Sequence, residues 1–153
     1  LGALAVILTL IYLSLQVRHA KLVAADSNRL VRATGVREMT LAMLHNDDMR
    51  ASTINALNAN AYYEDSSQQL GISLLDADRI DWVAQYYFWL HWGQFSTTMT
   101  ASDRLELEHI ILEFYTLPAI KHSWNHSPFG KKMFGTEFVE FVDSLLDRSA
   151  HAT

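Results

Sequence analysis

The sequence predicts an all-α protein: a single N-terminal transmembrane helix (residues 1–17) continuing into a cytoplasmic bundle of about five helices (residues 18–153). Three observations carry this reading. The chain opens on LGALAVILTLIYLSLQV, Leu1 to Val17, without a charge, and Arg18, His19 and Lys21 then close the run. Half of the residues are hydrophobic and only two are proline, so long stretches lack the residue that breaks helices. No segment shows the period-two alternation of a strand.

The first element follows from length. Seventeen helical residues rise roughly 25 Å at about 1.5 Å each, slightly short of the roughly 30 Å hydrocarbon core. The chain begins at Leu1 rather than Met, so residues upstream are expected to complete the span. A lone segment in lipid has to satisfy its own backbone, which makes it a helix. The alternatives are a buried helix of a soluble core, usually shorter, and a secretory signal ending near Val23-Ala24-Ala25. Arg18 and Lys21 lie between the apolar run and that site, which a signal does not favour. Arg18, Lys21, Arg29, Arg32 and Arg37 all follow the run, and cationic flanks stay in the cytoplasm. Gly2, Ala5, Thr9, Tyr12 and Gln16 recur at spacings of three and four, giving one stripe of small and weakly polar residues of the kind that faces a partner helix. Leu4, Leu8, Ile11 and Leu15 fall on the other side and suit lipid.

Beyond the anchor the helix is expected to continue to Leu44, interrupted only by Gly35, with Leu22, Val23, Leu30, Val31, Ala33, Leu41 and Leu44 as its apolar face. Asn46-Asp47-Asp48 stops it, and Asp47 or Asp48 is expected to cap a short helix over about 49–57. The polar stretch 58–71 reads as a surface loop tacked down by Tyr62 and Tyr63. Ser73-x-x-Asp76 starts the next helix, with Asp78 and Asp81 in its first turns, where the helix dipole favours anions. Its aromatic residues, from Trp82 to Phe95, occur nearly all round, so it is expected to be central. The sharper alternative for these rings is an aromatic ligand box. A helix over 103–117 points Leu107, Ile110, Ile111, Phe114 and Tyr115 inward and ends near Pro118. A short segment, 119–125, carries Trp124. Thr136 is expected to cap the last helix, 137–146, whose Phe138, Phe141, Val142 and Leu145 form an inward stripe.

The opening block and the basic turn after it, with the closing pattern Phe134-x-x-x-Phe138-x-x-Phe141-Val142-Asp143, resemble a widespread group of uncharacterised bacterial proteins. The resemblance implies an N-terminal membrane helix followed by a small all-helical cytoplasmic domain. It brings no activity with it.

Composition narrows function. Residues 1–50 carry six Lys/Arg against four Asp/Glu, residues 51–153 six against thirteen, and the whole is −5. A basic membrane-proximal end and an acidic body suit an anionic leaflet and argue against nucleic acid as a ligand. Cysteine is absent, which excludes disulfides and thiolate ligands. Glu106-x-x-His109 with Glu113 is half of a di-iron carboxylate pattern, but a second Glu-x-x-His is missing. His122 and His126 have ligand spacing without the glutamate of a zinc protease helix, since position 123 is Ser. His91 reads as a core or edge histidine bonded to backbone, or in a pigment-bearing complex as an axial ligand. No phosphate loop, dinucleotide fingerprint or nucleophile elbow is present. The expectation is therefore a non-catalytic accessory or structural subunit of a larger complex (photosynthetic, respiratory or oxygenase type) in the bacterial inner membrane. It would bind lipid and other transmembrane subunits, with no cofactor or metal of its own. The alternative is an anchored metal-dependent or ligand-binding helical enzyme.

Overall fold

The computed structural model describes residues 2–97 and 99–151, so Leu1 of the expected anchor lies outside them. Among the described residues there are seven α-helices and no strand. The first, α1 (Gly2–His45), is one uninterrupted helix. It is followed by α2 (Asp47–Ala56), α3 (Asn60–Leu70), α4 (Leu74–Phe95), α5 (Ala101–Tyr115), α6 (Pro118–His126), a 3₁₀ turn (Lys131–Met133) and α7 (Thr136–Ala150). Six α-helices thus stand after α1 rather than about five. The addition is α3, in the stretch expected to be a loop. Only Tyr63 and Ser66 of α3 are buried, so its own sequence carries little apolar periodicity, and contacts with α4 and α6 hold it.

Helix starts obey capping chemistry, with two corrections. Ser73 accepts from the Asp76 amide (3.1 Å), and Thr100 and Asp103 form a reciprocal capping box that opens α5. The cap of α2 is Asn46, whose Oδ1 accepts from Met49 N (2.9 Å), rather than Asp47 or Asp48. Asp47 instead points at Arg50 Nη2 (2.7 Å). Likewise Gly135, not Thr136, is the N-cap of α7 and offers no side-chain bond. Gly71 closes α3 at φ +65°, a backbone conformation that a Cβ penalises.

The body is organised around α4, which packs on α1, α3, α5 and α6. α1 and α4 run antiparallel. Arg29 meets Ser96, Arg32 lies over Trp92 and Arg37 over Tyr86, so the numbers rise on one side of the contact as they fall on the other. Of the apolar face expected on α1, Ala33 is buried and Leu44 half-buried, whereas Leu22, Val23, Leu30, Val31 and Leu41 are all exposed, and Thr40 and Met43 complete the buried stripe. The reason is close approach: a Cβ built on Gly93 would stand 2.9 Å from that of Ala33, so only small side chains fit the crossing.

On its other side α4 meets an aromatic core. Phe88, Tyr115, Trp124 and Phe138 are essentially inaccessible, with ring centroids 5.0 Å apart for Phe88–Tyr115, 5.1 Å for Phe88–Trp124 and 5.2 Å for Tyr115–Trp124. The two pairs with Trp124 are edge-to-face, and such pairs add about 0.5–1.5 kcal/mol each beyond the area they bury. The α7 stripe Phe138, Phe141, Val142 and Leu145 faces this core as its periodicity predicts. Ile110, expected inward, stands at the surface.

Candidate functional site

The projecting part of α1 is the most distinctive feature. Every side chain from 3 to 24 is exposed, including Leu4 (61 %), Leu8 (59 %) and Ile11 (53 %). This apolar run is not buried in the core of the chain. The helix is long and apolar enough to cross a membrane.

Within the stripe Gly2, Ala5, Thr9, Tyr12 and Gln16, the polar atoms are already engaged locally. Thr9 Oγ1 donates to the Ala5 carbonyl (2.9 Å), and Gln16 Nε2 donates to the Tyr12 hydroxyl. At 100° per residue, Val23, Ser27, Leu30, Thr34 and Glu38 fall within about 60° of the Thr9 direction. They line a shallow apolar groove on exposed α1. Ala33, Val36, Thr40 and Met43 point the opposite way, toward α4. One long face of α1 therefore stays uncovered from end to end.

The basic residues after the run divide into two groups. Arg18 and Lys21 are exposed on the projection. Arg29 instead donates to the Ser96 carbonyl (2.7 Å) at the C-terminus of α4 and pairs with Asp26 (3.1 Å), where a cation complements the helix dipole. Arg32 stacks over Trp92, 5.7 Å from its centroid.

Inside the body the main polar centre is Asp81, 1 % exposed. Its place in the first turns of α4 suggests a solvated dipole partner, but the helix turns it inward. Four hydroxyls donate to it: Tyr62 (3.2 Å), Tyr63 (3.0 Å), Ser127 (3.0 Å) and Ser123. Burial pushes its carboxyl up to about 6, against the pull of those hydrogen bonds. Burial, then the Asp81 charge, raises Tyr63 well above the usual phenol range. The network joins α3, α4, α6 and the turn after α6, and its four partners are all neutral hydroxyls. A second buried pair ties α2 to α4: Arg50 bonds Asp78 and also donates to the Met43 carbonyl (3.1 Å). Burial raises Asp78, with Arg50 opposing.

The histidines lie apart. His122 and His126 lie on one face of α6, their rings tilted and the centroids 4.8 Å apart. Ser66 Oγ, which donates to the Tyr62 carbonyl (2.7 Å), also lies in hydrogen-bond contact with His122 Nε2 (2.9 Å). Burial and then His126 lower His122. His91 is buried at 2 % exposure, with Tyr87, Phe114 and Tyr115 within 6.1 Å of its ring. It is a core histidine as expected, but its Nδ1 has no partner. Burial lowers it to about 4, so the ring is neutral. Its wall of a 390 Å³ groove is shared with His109 and Glu113. Glu106 faces a different groove. Among the described residues no three His, Asp, Glu or Cys side chains are placed to hold a metal ion. Of the α4 rings, Phe88, Trp92 and Phe95 pack in or against the core, while Trp82 and Trp89 also line a separate cavity.

Sequence reasoning missed Asp81 and Arg50. Four donors from positions 62, 63, 123 and 127 leave no local pattern, and the one available signal was an aspartate on the inner side of an aromatic helix. Comparison with known protein families, with curated proteins and with solved structures finds no match.

Proposed function

We propose that this protein is a single-pass, non-catalytic accessory subunit of a bacterial inner-membrane complex, with its helical body on the cytoplasmic side. One observation carries the reading: the apolar opening of α1 is exposed along its whole described length and passes without a break into the helix that packs on α4. Lipid covers the outward leucines, and Arg18 and Lys21 mark the cytoplasmic boundary. The long uncovered face of α1 suits another transmembrane subunit that follows it out of the bilayer. The internal polar networks bind helix to helix, and among the described residues they expose no convergent catalytic set.

The absence of cysteine makes the test direct. A Ser102→Cys variant carries one thiol on the exposed start of α5. In intact spheroplasts a membrane-impermeant maleimide should leave it unlabelled, and lysis should expose it. Labelling before lysis overturns the orientation, and release of the chain by alkaline carbonate overturns the anchor. Gentle solubilisation followed by mass spectrometry should yield a partner. A monomer with nothing bound overturns the accessory role.

The groove shared by His91, His109 and Glu113 favours a second reading, a ligand- or metal-binding helical enzyme. Bound metal in the purified protein, with a melting temperature that falls in His109→Ala, would support that reading over the first.

A further inference from the structure

A separate cavity of about 290 Å³ lies between α1, α2, α4 and the 3₁₀ turn. Its walls are the rings of Trp82, Trp89 and Phe129 and the thioethers of Met39, Met43 and Met133. No charged side chain lines it, which excludes an ionic ligand. Gln85 also lines it, is only 3 % exposed, and its Nε2 has no hydrogen-bond partner. Trp82 Nε1 is likewise buried without a hydrogen-bond partner, whereas Thr40 Oγ1 donates to Val36 O (2.9 Å) and Thr53 Oγ1 to Met49 O (2.9 Å).

Buried amides in folded proteins are almost always hydrogen-bonded, because burial forfeits their bonds to water. Two unpartnered donors beside an aromatic and methionine-rich space are the usual build of a small-molecule site, where apolar walls supply affinity and few polar groups fix orientation. Methionine side chains also adapt to an occupant's outline. We infer that this cavity binds a neutral, flat, mainly aromatic molecule carrying one carbonyl oxygen, its rings against Trp82, Trp89 and Phe129 and its oxygen accepting from Gln85 Nε2. This site is distinct from the anchor face and stands whether or not the accessory role does.

Benzophenone is both a member of that class and a photoprobe, since its excited ketone abstracts hydrogen readily beside sulfur. The chain has five methionines, of which Met39, Met43 and Met133 line the cavity while Met49 and Met99 do not. Met49, at 44 % exposure, is about as accessible as Met39 at 48 %, so it serves as an internal control. The full chain in lipid nanodiscs is irradiated with increasing benzophenone, and adducts are mapped by mass spectrometry. The expected result is saturable labelling confined to Met39, Met43 and Met133. In Gln85→Leu the half-saturating concentration should rise about tenfold, the value of one good hydrogen bond. Leu57→Trp, filling the exposed edge of the cavity, should abolish saturation without altering the core. Labelling that follows exposure, with Met49 equal to Met39, overturns the site. Unchanged half-saturation in Gln85→Leu overturns the role of its amide.

Discussion

Replacing Asp81 by Asn is expected to tilt the pH profile of folding stability upward, and replacing His91 by Gln to tilt it downward. The Asp81 carboxyl has an ordinary value of 3.8 and is lifted by burial to about 6. A raised value means that the fold favours the protonated form, so this contribution is complete below pH 3.8 and is lost as pH rises through 6. Two units correspond to about 3 kcal/mol. His91 runs the other way. Its imidazole is pushed by burial from 6.5 to about 4, so its contribution is complete above pH 6.5 and is lost as pH falls through 4, again about 3 kcal/mol. In the wild type the two oppose each other across one window. Asp81→Asn should therefore gain about 3 kcal/mol relative to wild type between pH 4 and 6.5, and His91→Gln should lose a comparable amount. Denaturant unfolding of the full chain in one detergent, followed by tryptophan fluorescence at several pH values, measures both. Profiles of the two variants that run parallel to wild type would refute the reasoning.

Three other perturbations probe the helix contacts. Gly93→Ala drives a methyl into Ala33 and should cost about 1–3 kcal/mol as overpacking, read as a lower melting temperature. Arg50→Met strands the Asp78 carboxylate and should cost about 3–5 kcal/mol, most of it recovered in the double variant with Asp78→Leu; a double variant no more stable than the single one contradicts the pairing. Arg29→Ala removes the cation at the end of α4 and should cost about 0.3–1 kcal/mol, less at high salt.

What can be read from the sequence is whatever announces itself locally. The uncharged opening run, the cap at Ser73 and the α7 stripe from Phe138 to Leu145 are each legible within a few residues, and each forms the helical feature expected of it. The centrality of α4 is legible because aromatics surround it. What fails depends on partners distant in sequence. α3 is polar along most of its length, and its place comes from Tyr62 and Tyr63 reaching Asp81. Most of the buried side of α1 escapes prediction because hydrophobicity points to leucines, whereas contact with α4 is decided by the missing side chain of Gly93. Asp81 sits where an N-terminal aspartate is ordinarily solvated, and only the assembled fold surrounds it with hydroxyls. The cavity beside Gln85 likewise draws its walls from four separate segments.

The unbroken course of α1 has a mechanical consequence. A helix of 44 residues is a rod of roughly 66 Å, gripped over its last third by α4 and carrying no proline joint. Whatever sets the heading of its free end sets the heading of the whole body, as a handle aims the head of a tool. A tilt of roughly 20° at the base, which is ordinary for spanning helices, would sweep the far end sideways by about 20 Å. Reorientation at one extremity is thereby reported at the other without any internal rearrangement.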